Sequence, residues 1–132
     1  MERRNAEGYH DPTAYMALRN EPRAPARVYI VSPYHGDTAK NAAAANRYCR
    51  FAMNGGSFPI APHAWFHGYL DDDVPEEREL GMKFGQHQMH SCGQVWVFGS
   101  VISSGMQSEI SSALLLGKKV RYFTNDCQEL RK

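Results

Sequence analysis

The chain has 132 residues, of which 42% are hydrophobic and 22% charged, and this composition predicts one compact, soluble folded domain. Its 15 lysines and arginines nearly balance 14 aspartates and glutamates, which argues against nucleic-acid binding because a polyanion partner calls for a basic excess. No apolar run approaches the length of a membrane span and the first residues lack the apolar stretch of a secretion signal, so we expect a cytoplasmic protein without a membrane partner.

Residues 1–26 form an arm without sustained periodicity. Asp11 and Pro12 predict the start of a short helix that ends near Leu18. A frayed terminus is one interpretation of this arm. An arm that docks on a partner subunit is the other, because apolar side chains such as Tyr15 would be costly to leave in water.

From residue 27 onward, short apolar runs alternate with segments of helical periodicity. The predicted strands are residues 28–31, 58–61, 95–98 and 120–123, and the predicted helices are residues 37–53, 73–91 and 104–116. Strands that alternate with helices form βαβ units with right-handed crossovers. We therefore expect an α/β domain over residues 27–132. Its sheet should be a small doubly wound parallel sheet of four to five strands, Rossmann-like or flavodoxin-like, with helices on both faces. Pro59 favours an edge position for the second strand.

Ligands of such open sheets bind beyond the carboxyl ends of the strands, which directs attention to the loops that follow them. The loop after the first strand carries Ser32, Tyr34, His35 and Gly36 ahead of a helix N-terminus. Free N–H groups at that terminus can hold a sugar or a phosphate. An ordinary turn with Asp37 as the helix cap is the alternative.

The loop after the third strand offers a second anion cradle. Ser103, Ser104 and the adjacent backbone amides could surround an anion at the start of the next helix. Either serine is also a good helix cap, so both interpretations stay open.

Glu109 is the most informative single residue. It lies in the first turns of the predicted helix 104–116, three residues after Met106 and four before Ala113, on or beside the face that should pack on the sheet. A partly desolvated carboxylate there can attack an electrophilic sugar carbon or stabilise its cationic transition state. The alternative is a first-turn glutamate that points to water and is favoured by the helix dipole.

Histidines and aspartates around the second strand are the remaining candidates. His63 follows that strand and is expected to contact the ligand from its position. The aspartates at 71–73 could include a general acid or base, or could cap the next helix, and Asp72 is an expected substrate contact. Other possible metal ligands are His67, His87, His90 and Cys92. They form no compact pair of ligands, so we expect no metal site, and we expect the three cysteines to be free thiols.

Several of these segments carry a resemblance to a known family. The segments are VYIVSPY at 28–34, IAPH at 60–63, LDDD at 70–73, WVFG at 96–99 and SGMQSEI at 104–110. Through them the stretch 27–123 resembles the nucleoside 2-deoxyribosyltransferase-like superfamily, and within it a little-characterised bacterial and phage branch. The family places its nucleophilic glutamate on the last of these helices, shortly after a glycine. The resemblance therefore implies that Glu109 is the nucleophile and that Tyr34 lies by the sugar. It also implies that Ser103, Ser104, Gly105 and Met106 contact the sugar or a 5′-phosphate.

The chain departs from the transferases at two positions. Ser103 stands where they carry an aspartate, and is more like the relatives that hydrolyse nucleoside 5′-monophosphates. Gln86 or His87 occupies the region of the acid that protonates the leaving base, so no proton donor is implied. Family members often complete the site with residues of a second subunit.

The expected function is that of an N-glycosidase-like enzyme, without a cofactor, which cleaves or transfers the N-glycosidic bond of a nucleoside or nucleoside 5′-monophosphate. A nucleotide-binding or sensing domain without turnover is the alternative, motivated by the missing proton donor, and a structural protein with a vestigial pocket is a third. We expect a homodimer or higher homo-oligomer, because a small core with an apolar arm should bury surface against a copy of itself. The expected substrate contacts are Ser32, Tyr34, His35, Gly36, His63, Asp72, Ser103, Ser104, Gly105 and Met106.

Overall fold

A computed structural model of the protein, which describes residues 25–131, is built around a five-stranded sheet with the strand order β2-β1-β3-β4-β5. The strands are β1 (Arg27–Val31), β2 (Phe58–Ile60), β3 (Gln94–Phe98), β4 (Lys119–Phe123) and β5 (Glu129–Leu130). The helices are α1 (Thr38–Asn54), α2 (Pro62–Phe66), α3 (Pro75–Met89) and α4 (Ser104–Leu115). Strands β1 to β4 are parallel, and β5 pairs antiparallel with β4. The carboxyl ends of four strands therefore meet at one edge of the sheet.

After their first residues, Arg27 and Gln94, the central strands β1 and β3 are apolar because both of their faces are buried. Val28 and Ile30 belong to a core cluster that includes residues of α1, whereas Tyr29 and Val31 belong to a second cluster with residues of α3 and α4. This alternation follows from the two-residue period of a strand, which sends neighbouring side chains to opposite faces.

The predicted alternation of strands and helices is confirmed, and β2 lies at an edge of the sheet as Pro59 indicated. Asp37 caps α1, where its side chain accepts a hydrogen bond from the Lys40 amide. Two elements were not predicted. The short helix α2 holds only five residues, too few to show a helical period, and β5 has two residues that are both exposed and so leave no burial pattern.

The start of α3 differs from the prediction. The N-cap is Val74, which makes no side-chain cap hydrogen bond, and Pro75 begins the helix. Asp71 instead accepts a hydrogen bond from the Asp73 amide, and Asp72 bonds to another loop. The prediction of an aspartate cap at this helix was therefore wrong, because Val74 takes the cap position and the carboxylates of Asp71 and Asp72 bond to other groups.

The predicted helix between Asp11 and Leu18 lies outside the described residues. Within residues 25–131, none of the helices has the length and apolarity needed to cross a membrane. Cys49, Cys92 and Cys127 are free thiols.

Candidate active site

A cavity of about 450 Å³ opens at the carboxyl end of β1, between this strand end and the helices α2, α3 and α4. The structure brings Glu109 and nearly all the predicted substrate contacts into its wall: Ser32, Tyr34, His35, His63, Asp72, Ser103, Ser104, Gly105 and Met106. Gly36 is not among the lining residues. It has a φ of +102°, a backbone conformation that favours glycine, so Gly36 allows the loop after β1 to turn.

Glu109 and Tyr29 form a polar contact in the wall of the cavity. The Tyr29 hydroxyl donates a hydrogen bond of 2.8 Å to Oε2 of Glu109. Burial raises the pKa of Glu109 to about 7, and the hydrogen bond from Tyr29 partly opposes this rise. Burial, together with the adjacent Glu109, also raises the pKa of Tyr29, which therefore remains a proton donor. Near neutral pH the Glu109 carboxyl is thus close to its titration midpoint, held at one oxygen by a buried phenol.

Sequence analysis missed Tyr29, because it lies within a continuous apolar strand and was assigned to the core. Its side chain is only 1% exposed, so most of it does pack as core. The signal that could have found it is the polar hydroxyl of a tyrosine in the middle of a strand buried on both faces, since a buried hydroxyl needs a partner.

Gly85 of α3 makes room for this contact. A Cβ at position 85 would lie 2.9 Å from the Tyr29 hydroxyl, closer than real Cβ atoms come to such a group. Without a side chain at this position, α3 can pack directly over the phenol. Gly85 therefore positions Tyr29 toward Glu109.

Substitution of Gly85 by alanine is expected to displace the Tyr29 hydroxyl and to move the titration midpoint of Glu109 upward by about one pH unit, since it removes a hydrogen bond to a charged group. An NMR titration of carboxyl-labelled glutamate measures this midpoint. Gly81→Ala is the matched control on the same helix, because its Cβ would meet the flexible ring of Phe66 at 3.3 Å. Equal midpoints in the parent and in Gly85→Ala would contradict the positioning role.

Ser32 and His63 form a second, half-buried pair in the wall. Ser32 Oγ and His63 Nε2 lie 2.8 Å apart, and Ser32 is only 3% exposed. Burial lowers the pKa of His63 to about 4, so its imidazole is neutral at pH 7. The ring of Tyr34 meets that of His63 edge to face, with centroids 5.9 Å apart. This part of the wall is polar but uncharged.

His35 and Asp72 connect two loops beside the cavity. His35 Nδ1 lies 2.8 Å from Asp72 Oδ2, which joins the loop after β1 to the segment before α3. The His35 side chain is 69% exposed and that of Asp72 only 14%. The pair therefore ties a solvent-facing imidazole to a carboxylate of the cavity wall.

At the start of α4, one serine caps the helix and both serines line the cavity. Ser103 is the N-cap, and its Oγ accepts a hydrogen bond of 3.2 Å from the Met106 amide. Ser104 and Gly105 follow in the cavity wall, whereas the side chain of Met106 is buried. The capping role is thus realised, and it places the first turn of α4 against the cavity, where free N–H groups are available.

Helix α3 supplies a wall that sequence analysis left out. Glu77, Arg78, Met82 and Gln86 line the cavity from this helix. Of the two residues considered for the place of a proton donor, Gln86 lies in the wall and His87 does not. The signal that could have found this wall is the four-residue spacing of positions 78, 82 and 86, which puts them on one helix face. Across residues 25–131, no group of three or more potential metal-ligating side chains comes together.

Residues 26–123 match the model of a protein family described as "Domain of unknown function (DUF7768)". The chain belongs to this family. The match includes every residue that lines the cavity, so the candidate site lies wholly within the DUF7768 domain.

A solved structure shares the fold of this DUF7768 protein. It is the 2-deoxyribosyltransferase of Bacillus psychrosaccharolyticus, with a TM-score of 0.61 and 17% identity over 75% of this chain and 72% of that chain. A CMP N-glycosidase of Clostridium botulinum matches with a TM-score of 0.47 and 16% identity, over 74% of this chain and 68% of that chain. Among curated proteins, none matches at a significant level. The first of these comparisons establishes the fold.

Proposed function

We propose that this DUF7768 domain is an N-glycosidase-like enzyme that cleaves or transfers the N-glycosidic bond of a nucleoside or nucleoside 5′-monophosphate, with Glu109 as the nucleophile. The observation that carries the proposal is the hydrogen bond between the buried Tyr29 and the half-buried Glu109 in the wall of a cavity of about 450 Å³. The fold shared with a 2-deoxyribosyltransferase supports the same kind of reaction.

The chemistry needs a carboxylate that is poorly hydrated and held in place. Because Tyr29 engages Oε2 of Glu109, Oε1 is the oxygen that we assign to the anomeric carbon. As the base leaves, this oxygen attacks the carbon or stabilises its positive charge, and water or a second base then accepts the sugar. A poorly hydrated carboxylate stabilises a developing positive charge on the sugar strongly, because little water screens the interaction between the two charges.

The other cavity residues are proposed to position the substrate. Tyr34 lies by the sugar, and the turn from Ser103 to Met106 contacts the sugar or a 5′-phosphate through the free N–H groups of α4. We assign further substrate contacts to the remaining predicted residues of the wall: Ser32, His35, His63 and Asp72.

The proposal also includes features of the whole protein. The two core clusters on opposite faces of β1 support a doubly wound arrangement of the sheet. Large exposed apolar side chains, among them Leu115 at 89% and Val101 at 75%, support a homodimer or higher homo-oligomer. Membership of a bacterial or phage branch and a cytoplasmic location complete the proposal.

Incubation with a panel of nucleosides and nucleoside 5′-monophosphates tests the proposed function. We expect chromatography to detect a free base from at least one of them, because the site holds a nucleophile and a cavity beside it. Tight binding in calorimetry, with every ligand unchanged after long incubation, would contradict turnover and would indicate a nucleotide-binding domain instead.

A further inference from the structure

Helix α3 contributes an amide side chain to the wall of the cavity that holds Glu109. Gly85 packs against the Tyr29 hydroxyl, which bonds to Glu109, so this turn of α3 lies at the level of the reactive carboxylate. The next residue, Gln86, lines the cavity, and its Nε2 donates a hydrogen bond of 3.2 Å to Ser112 Oγ on α4. An amide of this kind can donate a hydrogen bond but cannot transfer a proton to a departing base.

The other carboxylates of the wall lie elsewhere. Glu77 precedes Gln86 by nine residues, which is about 13 Å along a helix, and its Oε1 accepts a hydrogen bond of 2.7 Å from the Asp71 amide. Asp72 is bonded to His35. Both carboxylates are thus held by donors of the loops, and Glu77 lies several turns along α3 from Gln86.

The remaining proton-bearing groups near Glu109 are also engaged. The Tyr29 proton is donated to Glu109 itself. His63 is neutral at pH 7, since burial lowers its pKa to about 4, and its Nε2 bonds to Ser32. Within residues 25–131, Tyr29 is the hydrogen-bond partner that the structure gives Glu109, so no group bonded to the nucleophile is free to protonate a leaving base. Tyr34 and His35 line the cavity from the loop after β1, where His35 is bonded to Asp72.

The need for a general acid depends on the charge of the leaving base. When the C1′–N bond of a neutral nucleoside breaks, the electron pair goes to the base, which leaves as an anion unless it is protonated. In an N-glycosyl pyridinium the same electron pair cancels the positive charge of the ring, so the base leaves as a neutral pyridine and needs no proton. A carboxylate oxygen bonds to C1′, and water then adds its oxygen to C1′, which releases the carboxylate and one proton to solvent.

We propose that the site acts on N-glycosides whose base is cationic, such as N-ribosyl pyridinium compounds and their 5′-phosphates. This inference rests on the proposed function and names its substrate class. The composition of the wall supports it, because three carboxyl side chains, those of Asp72, Glu77 and Glu109, line the cavity together with one guanidinium, that of Arg78, and the imidazole of His35, which is bonded to Asp72. Such a wall attracts a positively charged ring and gives little advantage to a neutral one.

Rate enhancements over the uncatalysed reaction test the proposal, since this comparison removes the intrinsic lability of the pyridinium bond. The probes are nicotinamide riboside and its 5′-monophosphate, against cytidine, adenosine and their 5′-monophosphates. We expect the enhancement for the cationic bases to exceed that for the neutral bases by at least ~100-fold, the range in which general acid catalysis contributes. Equal enhancements would overturn the proposal, whereas no base release from any compound would overturn the proposed function.

A gain-of-function variant gives the second readout. Gln86→Glu introduces a carboxylic acid at the level of Glu109 and is expected to raise the rate on neutral bases at least ~10-fold, without a matching gain on pyridinium bases. His87→Glu is the matched control, because it adds the same charge to the next, exposed position outside the cavity wall. Gln86→His provides another acid if Gln86→Glu does not fold. An equal change for both kinds of base, or none in a folded acid variant, would overturn the proposal.

Discussion

Replacement of Glu109 by glutamine is expected to lower the rate of base release by at least ~10³-fold, because loss of the nucleophile of a covalent mechanism typically costs several orders of magnitude. Glutamine keeps nearly the same shape and can still accept the hydrogen bond that Tyr29 donates to the carboxylate. The substitution therefore removes the nucleophilic charge and largely preserves the packing. Initial rates on the best substrate of the panel measure the loss.

Glu76→Gln is the matched control for this loss. Glu76 is an exposed glutamate in the first turn of α3 and does not line the cavity, so the same chemical change there should leave the rate close to that of the parent. If Glu109→Gln released base as fast as the parent, Glu109 would not be the nucleophile. A parallel loss in Glu76→Gln would indicate an effect on the fold instead.

Glu109→Gln is also expected to change how the free energy of unfolding depends on pH. In the folded protein the pKa of Glu109 is raised from 4.5 to about 7, so its contribution to stability is fully present below pH 4.5 and is lost as the pH rises through 7. A difference of this size corresponds to about 3 kcal/mol. Relative to the parent, the glutamine variant should therefore gain about 3 kcal/mol between pH 4 and pH 8. Urea unfolding at the two pH values measures the gain.

His63 should show the opposite dependence. Its folded pKa is lowered from 6.5 to about 4, so between these pH values the unfolded chain binds a proton at this ring more readily than the folded protein does. The free energy of unfolding therefore rises as the pH increases from 4 to 6.5. Relative to the parent, His63→Gln should be favoured by about 3 kcal/mol more at pH 4 than at pH 8. Between pH 4.5 and 6.5 the two groups oppose each other in the parent. Differences from the parent that stay constant with pH, in both variants, would show that neither group is desolvated.

The elements with strong local signals could be predicted from the sequence. The apolar runs of β1 and β3 reflect burial on both faces, and the segment of α4 carries its own start and stop at Ser103 and Gly117. Helix α2 and strand β5 could not be predicted in the same way. They are too short to show a period, and their conformations follow from packing against the rest of the chain.

The candidate site could likewise be predicted from the sequence only in part. The order of strands and helices is enough to bring the loop after β1, the loop after β3 and the start of α4 to one edge, because parallel strands end on the same side of a sheet. The partners of individual side chains do not follow from that order. The His35–Asp72 pair and the position of Gln86 depend on how α3 lies against the sheet.

The sequence by itself therefore determined the α/β class, the edge of the sheet at which the polar loops gather and the choice of Glu109 as the residue to examine. Only the tertiary structure decided that Tyr29 is the partner of Glu109, since the two residues lie 80 positions apart in the chain. Gly85 of α3 packs close to the Tyr29 hydroxyl, and no local sequence pattern predicts that packing. Local propensities specify helices and strands, whereas the contacts that tune a buried carboxylate arise from the way these elements pack together.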